Sequence, residues 1–516
     1  MGMEKAEKTE KTSYQTIPHI IHALSIFGSA CLHFLTFIPV FGTLILRKIH
    51  DDSERSFLLQ AVQNPLKTEK VSKLLRTFAI PSIIAMLVSA LYNIVDQVFI
   101  GWSIGALGNA ATNVAFPLTT ICIAIALMFG IGGASAFNLT MGEGDAKRAA
   151  FYVGNAISML VICGVVLCIV AHLFLTPMLR FFGSTQDILG YARTYTAITA
   201  FGFPFLILAT GGGHLIRADG SPRFTMTCNL VGAIINLILD PIFIFGFHWG
   251  MAGAALATII GQIVSAALAV RYLMHYKTVA ITRQHLHPRK DCVCRIAALG
   301  AAQSFNQIAM TVVQIALNKS LTHYGAMSIY GEEIPLACAG IITKVNQIFF
   351  SVIIGLSQSV QPIASFNYGA QQYARVRKVY HLAIRCGFVI SITSFVVFQL
   401  FPRQITSLFG SGDALYFEFA ISYFRVFFFC TFLNCLQPIS STFFTAIGQP
   451  VKGLFLSMTR QILFLLPLIL ILPLFFGIDG ILYSGPIADG VAAIVSVFMI
   501  RQEMQHMQQL ELHASF

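Results

Sequence analysis

Runs of about 20 apolar residues recur along this whole sequence, and they constrain its fold more than any other feature. Each run is long enough to cross the ~30 Å hydrocarbon core of a bilayer as a helix. Of the 516 residues, 56% are hydrophobic and only 11% are charged, whereas soluble domains carry about 25% charged residues. The sequence therefore predicts an all-α polytopic membrane protein.

The apolar runs predict twelve core transmembrane helices. Their predicted starts lie near residues 77, 114, 151, 190, 225, 251, 296, 335, 379, 415, 454 and 478. Lys and Arg are concentrated in alternate loops: Lys147 and Arg148 follow the second span, whereas residues 101–110, after the first, contain neither. The positive-inside rule then predicts a multi-pass plasma membrane protein, in the inner membrane of a bacterium, with a cytoplasmic carboxyl terminus.

The two halves of the sequence resemble each other. Residues 138–148 align with residues 365–375, so that Gly142 matches Gly369. Six spans in each repeat return the chain to its starting side, so the repeats are predicted to form two parallel six-helix bundles. The predicted segments are an amino-terminal bundle (64–275), a basic cytoplasmic linker (276–295), a carboxy-terminal bundle (296–502) and a cytoplasmic tail (503–516).

Residues 1–63 lie outside the repeat. A head rich in Lys and Glu precedes an apolar segment from 17 to 46, which is too long for the core of a signal peptide. Three interpretations stay open: a thirteenth span, an interfacial segment, or an extension that does not belong to the working protein.

Carboxylates within the predicted spans are the strongest pointers to function. A charge inside the bilayer costs at least about 3 kcal/mol and is kept mainly where it is paired, hydrated or used. At 1.5 Å per residue, Asp96 and Asp240 both lie in the outer half of the first bundle. Tyr195 and Thr258 lie at similar depths on two other helices, and Asn236 lies one turn before Asp240. Each residue alone has an ordinary structural interpretation, such as a helix end or an aromatic anchor, but the matched depths favour a cluster.

The second bundle has a different pattern of charges. The span from 296 to 318 contains no Asp or Glu, while Arg460 and Asp489 lie within the eleventh and twelfth spans. A structural ion pair is the favoured interpretation of these two residues, and a second substrate or proton site is the alternative. We interpret the 11 cysteines as small apolar residues rather than disulfides or metal ligands.

Several function classes are excluded or disfavoured by missing motifs. The sequence has no Gly-Lys-Ser/Thr and therefore no phosphate-binding P-loop, and it has no His-Glu-x-x-His or Gly-x-Ser-x-Gly. The basic excess lies in loops rather than in a polar domain with interleaved aromatic residues, so nucleic-acid binding is not expected. These absences favour a transporter over an enzyme, with no cofactor and no bound metal.

Five segments resemble the multidrug and toxic compound extrusion (MATE) transporters, nearest their DinF-like branch. These segments are residues 92–101, 216–222, 236–245, 253–258 and 361–370. They occur in the same order as in the family, and the resemblance as a whole covers about residues 64–502. The resemblance implies two bundles around a central cavity. It also implies secondary-active antiport, in which amphipathic and often cationic organic compounds leave against inflow of protons or sodium ions. We expect the protein to act as a monomer in the lipid bilayer.

The resemblance also suggests roles for individual residues. In the family an amino-terminal-lobe cluster couples the ion, and its carboxylates match Asp96 and Asp240. The accompanying polar positions match Asn236, Thr258 and, by spacing alone, Tyr195. A first-helix proline that is proposed as a conformational hinge matches Pro81. The sequence departs from the family in its first 60 residues, and it lacks the seventh-helix carboxylate of some branches.

Two other functions remain as alternatives. A lipid-linked precursor flippase has a related paired-bundle fold, but it would be expected to carry cavity Arg residues for the diphosphate. A membrane-embedded lipid-modifying enzyme belongs to another class. Both predict lipid turnover without drug efflux.

Overall fold

The computed structural model describes residues 65–409 and 413–514, and every regular element in these residues is a helix. Eleven of the described helices are long and apolar enough to cross a membrane, and a twelfth span is broken in its middle. The predicted all-α fold with twelve core spans is confirmed.

The spans are numbered in chain order. They are α1 (Val71–Ile104), α2 (Ala106–Gly142), α3 (Ala146–Leu173), α4 (Gln186–Ala218), α5 (Pro222–Pro241, continued by a π-helical turn, Ile242–Gly246), α6 (Gly250–Leu273), α7 (Lys290–Ala326), α8 (Glu333–Gly369), α9 (Tyr373–Leu400), α10 (Ala414–Phe427 and, after a 40° bend, Thr431–Ala446), α11 (Pro450–Phe476) and α12 (Ile478–Ala514). Four short helices lie beside them: Pro65–Thr68, Leu175–Phe181, Arg283–Leu286 and Pro402–Phe409.

Some helix ends lie beyond the apolar runs. Helix α7 begins at Lys290. The predicted linker covers 276–295, so its last six residues, 290–295, belong to the first turns of α7. Helix α12 continues to Ala514, through most of the predicted tail, 503–516. Hydropathy marks only the part of a helix that crosses the bilayer, whereas backbone hydrogen bonds extend it into water. The interpretations of residues 1–63 lie outside the described residues.

Helices α1–α6 form one lobe and α7–α12 the other. Within the first lobe, α4 packs against α2 and α6, and α5 packs against α1 and α6. The lobes meet through α2 against α7 and α1 against α8. A Cβ on Gly142, at the end of α2, would collide with the backbone of α8, and a Cβ on Gly369, at the end of α8, would collide with the backbone of α2. The glycines that the repeat aligns are therefore points of close approach between the lobes.

The linker between the lobes is held by the first lobe. Asp219, just after α4, accepts hydrogen bonds from the backbone N–H of Lys277 at 2.8 Å and from the Tyr272 hydroxyl at 2.8 Å. Burial raises the pKa of the Asp219 carboxyl, while these donors oppose that rise. Further along, Asn155 of α3 donates to the His285 carbonyl at 3.0 Å. The segment that leads into the second lobe is thus fixed on the first.

The segment that leads into α1 is held in the reciprocal way by the second lobe. Asn367 at the end of α8 donates to the Leu66 carbonyl at 3.1 Å. Arg375 at the start of α9 donates to the carbonyls of Leu66 at 2.9 Å and Glu69 at 2.7 Å. Each lobe therefore anchors the entry segment of the other.

Candidate functional site

Two buried carboxylates meet where α1 packs against the end of α5. Asp96 is 8% exposed and Asp240 is 1% exposed. Their carboxyl groups lie within hydrogen-bonding range of each other. Two negative charges this close in a poorly hydrated place require a proton or a cation between them.

An amide connects this pair to α6. Asn236, one turn before Asp240 on α5, donates from Nδ2 to Asp240 Oδ1 at 3.3 Å and to Thr258 Oγ1 at 3.5 Å. The Thr258 hydroxyl itself donates to the Ala254 carbonyl of its own helix at 3.0 Å. Thr258 therefore presents its oxygen, rather than its hydrogen, to the cluster.

Three buried oxygen atoms of the cluster lack a donor among the residues that the structure describes. They are Oδ1 of Asp96, Oδ2 of Asp240 and Oδ1 of Asn236. Buried polar atoms are satisfied in the great majority of cases, so these three neighbouring oxygens are candidates to accept a proton or to bind a cation. Carboxylate and amide oxygens suit a hard cation, and the carboxylates also suit a proton.

Two tyrosines complete the cluster. Tyr195 on α4 lies close enough to both carboxylates to interact with them electrostatically, and it is near Thr258. Tyr92 on α1 is also close enough to interact with Asp96 and Asp240. Sequence reasoning did not select Tyr92, although its position one turn before Asp96 places both on the same helix face.

The backbone near Asp240 departs from a regular α-helix. Pro241 follows directly and has no N–H to donate. The chain then forms the π-helical turn Ile242–Gly246, where the Phe247 N–H donates to the Ile242 carbonyl at 2.9 Å. Such turns are rare and occur frequently at functional sites. Asp240 thus occupies the last regular turn of α5.

Pro81 lies apart from the cluster. It is buried within α1, which is one helix from Val71 to Ile104, and 15 residues separate it from Asp96, or about 22 Å along the axis. Its ring leaves the Thr77 carbonyl without the usual partner. Ile83, two residues after Pro81, is in close contact with α8, because a Cβ on Gly355 would lie 2.7 Å from the Ile83 Cα. Pro81 is therefore near an inter-lobe contact, and its role as a hinge stays a prediction.

Arg460 and Asp489 are paired inside the second lobe. Arg460 Nε lies 2.5 Å from Asp489 Oδ1, and the two residues are 9% and 3% exposed. The guanidinium also lies 5.7 Å from the centre of the Phe350 ring. Arg460 belongs to a π-helical stretch of α11, Thr459–Leu465. This geometry favours the structural interpretation, because each charge neutralises the other.

The described residues contain no group of three His, Cys, Asp or Glu side chains placed to hold a metal ion. No disulfide joins any two of the ten cysteines in the described part of the chain. The oxygen atoms of the Asp96 and Asp240 cluster are thus the candidate site that the described part of the chain offers.

Comparisons with known proteins identify related chains. The MatE family profile matches residues 81–242 and 302–471. Multidrug export protein MepA of Staphylococcus aureus (strain MRSA252) is 25% identical over 431 residues, which cover 83% of this chain and 93% of that protein. MepA of Staphylococcus saprophyticus is 25% identical over 424 residues, with coverage of 82% and 92%.

Solved structures that resemble this chain are also MATE transporters. The MATE multidrug transporter DinF-BH is 32% identical, with a TM-score of 0.78 and coverage of 84% of this chain and 96% of that chain. The outward-facing conformation of a multidrug resistance MATE family transporter gives a TM-score of 0.80 at 24% identity, with coverage of 86% and 98%. The second likeness concerns the fold alone.

Proposed function

Because the chain belongs to the MatE family, we propose that it is a multi-pass membrane transporter that exports varied organic compounds, driven by inflow of protons or sodium ions. The MepA relatives carry multidrug export in their names. Amphipathic and often cationic compounds are the proposed substrates. The proposed orientation places the carboxyl terminus in the cytoplasm, where the basic loops would also lie.

The observation that carries the coupling proposal is the convergence of unpartnered oxygens around Asp96 and Asp240. A bound cation or proton would neutralise the repulsion between these carboxylates. Since Asp96 lies on α1 and Asp240 on α5, neutralisation would change how closely the two helices pack. Ion entry from outside would favour the state that releases drug outward, and ion release inward would complete the cycle.

Purified protein in lipid vesicles tests this proposal. A fluorescent organic cation is the substrate, and a proton or sodium gradient is imposed separately. Asp96→Asn and Asp240→Asn should each abolish gradient-driven accumulation while substrate binding persists, because a neutral amide mimics the ion-loaded carboxyl. Asp187→Asn, which changes an exposed carboxylate at the start of α4, is the matched control and should transport normally.

Normal gradient-driven transport by a well-folded double variant of Asp96 and Asp240 would refute the coupling role. A loss of accumulation in the control variant as well would point to a nonspecific effect of charge.

The coupling ion can be identified at Asn236. Sodium would use the amide oxygen as an additional ligand, whereas a proton needs only the carboxylates. Asn236→Ala should therefore weaken sodium-driven transport several-fold if sodium is the ion. Proton-driven transport should change less, because the carboxylate pair remains. Linkage requires that substrate binding respond to the concentration of the coupled ion and not to that of the other.

A further inference from the structure

A groove lies between the first turn of α1 and the first half of α9. Its volume is about 450 Å³, and its lining includes Ser72 of α1 and Arg377, Lys378, His381 and Arg385 of α9. Helices α1 and α9 both start at this end of the molecule, which the positive-inside rule assigns to the cytoplasm. The groove is therefore open at one membrane interface and bounded by one helix from each lobe.

The groove carries an excess of positive charge. Among the described residues, Lys378 and Arg385 have no ion-pair partner, and both are exposed. Arg377 pairs with Glu511 of α12, yet its Nε is buried without a hydrogen-bond partner. The described residues that line the groove include no carboxylate. Lys378 and Arg385 are therefore available to an anion that approaches from the interface.

Exposed apolar residues follow farther along the same two helices. On α1, Ile80 lies two turns beyond Ser72 and is 56% exposed. On α9, Val389 lies one turn beyond Arg385 and is 66% exposed. Arg385 lies about 18 Å from the start of α9, and its long stem allows the guanidinium to reach back toward the interface. A basic end followed by apolar walls matches a molecule with an anionic head and hydrocarbon tails.

We propose that this groove binds one anionic phospholipid, with the phosphate near Lys378 and Arg385 and an acyl chain along Ile80 and Val389. Basic pockets between transmembrane helices at the cytoplasmic side bind anionic head groups. Because α1 and α9 belong to different lobes, the bound lipid contacts both and stabilises the arrangement in which these helices are adjacent.

Native mass spectrometry of the full-length protein tests the site. The protein is titrated with phosphatidylglycerol or with phosphatidylcholine, and the bound lipids are counted. Phosphatidylglycerol should bind in preference to phosphatidylcholine. The Lys378→Gln, Arg385→Gln variant should bind phosphatidylglycerol about thirtyfold more weakly, as expected for the loss of two cations near the head group.

Two further variants serve as controls. Lys147→Gln, Arg501→Gln removes two exposed cations at the same end of the molecule and should bind phosphatidylglycerol as the unchanged protein does. Lys378→Arg, Arg385→Lys keeps the charge and should also bind it. Millimolar inorganic phosphate should not displace the lipid, because phosphate lacks the acyl contacts.

Four results would overturn the proposal. They are equal binding of phosphatidylglycerol and phosphatidylcholine by the unchanged protein, unchanged binding by the folded Lys378→Gln, Arg385→Gln variant, equal weakening in the Lys147 and Arg501 control, and displacement by phosphate alone. The comparison of the two lipids does not depend on any variant and can overturn the proposal even if a variant fails to fold.

Discussion

At the scale of single residues, buried carboxylates have opposite surroundings in the two lobes. Asp489 has a cation within the chain, because Arg460 Nε lies 2.5 Å from its Oδ1. Asp96 and Asp240 lie beside each other, and Asp240 accepts a hydrogen bond from the Asn236 amide. Two of the carboxylate oxygens lack a donor among the described residues. The second lobe thus contains its own counter-ion, whereas the proposed coupling site of the first lobe would take a proton or a cation from solution. This contrast explains why we assign coupling to the first lobe.

The ion pair of the second lobe should behave as a structural couple. Arg460→Met leaves Asp489 as an uncompensated buried negative charge, and Asp489→Leu leaves Arg460 as an uncompensated buried positive charge. Either change alone should lower the free energy of unfolding by about 3–5 kcal/mol. The double variant should lose less than either single variant, since no unpaired charge remains. Thermal unfolding in detergent measures this, and a double variant that is less stable than both single variants would contradict the pairing.

At the scale of helices, α1 and α8 make a close backbone contact just beyond Pro81. Gly355 faces Ile83 there, and a Cβ would lie 2.7 Å from the Ile83 Cα and 2.8 Å from its N. Any side chain at position 355 must push the two helices apart, because backbone atoms cannot rotate away as a flexible side chain can.

Gly355→Val should therefore lower the melting temperature and reduce efflux, because it separates α1 from α8. Gly340→Val is the matched control on the same helix, since a Cβ there would meet no atom within 4 Å. It should leave both quantities nearly unchanged apart from small helix-propensity effects. Equal effects of the two substitutions on melting temperature and efflux would show that the contact with Ile83 is unimportant.

At the scale of the whole molecule, polar contacts between the lobes use neutral acceptors. Arg217 of α4 is 3% exposed and donates to Gln358 of α8 at 3.0 Å. Gln361 of α8 donates to Ser135 of α2 at 2.9 Å. No carboxylate pairs with Arg217 among the described residues. Separation of the lobes would hydrate the Arg217 guanidinium, so this contact opposes opening only weakly.

A carboxylate at this contact should lock the lobes together. Gln358→Glu places a negative charge beside the buried guanidinium, and charge-assisted hydrogen bonds are about twice as strong as neutral ones. We expect a higher melting temperature with a transport rate about tenfold lower. Gln358→Leu should have the opposite effect on stability, because it leaves Arg217 without its acceptor. Faster transport by Gln358→Glu, or the same melting temperature in both variants, would contradict this account.

Part of the candidate site could be predicted from the sequence because it depends on helix geometry alone. A fixed rise per residue gives the depth of Asp96, Asp240, Tyr195 and Thr258, and the spacing of four residues places Asn236 beside Asp240. The structure brings these five side chains together. Tyr92 obeys the same spacing from Asp96, but so does Asn93, three residues before it, and spacing alone does not show which of the two faces the cluster.

The sequence by itself determined the number of spans, their approximate positions and the parallel repeat. Hydrophobic length and periodicity are local properties, and they decide directly whether a segment can cross a bilayer. Only the tertiary structure decided how each helix is rotated and which helices are neighbours. The contact of Arg217 with Gln358 joins residues 141 positions apart, and the basic groove is formed by α1 and α9, from opposite lobes. Such sites depend on packing between distant segments, and helix periodicity along one segment does not specify that packing.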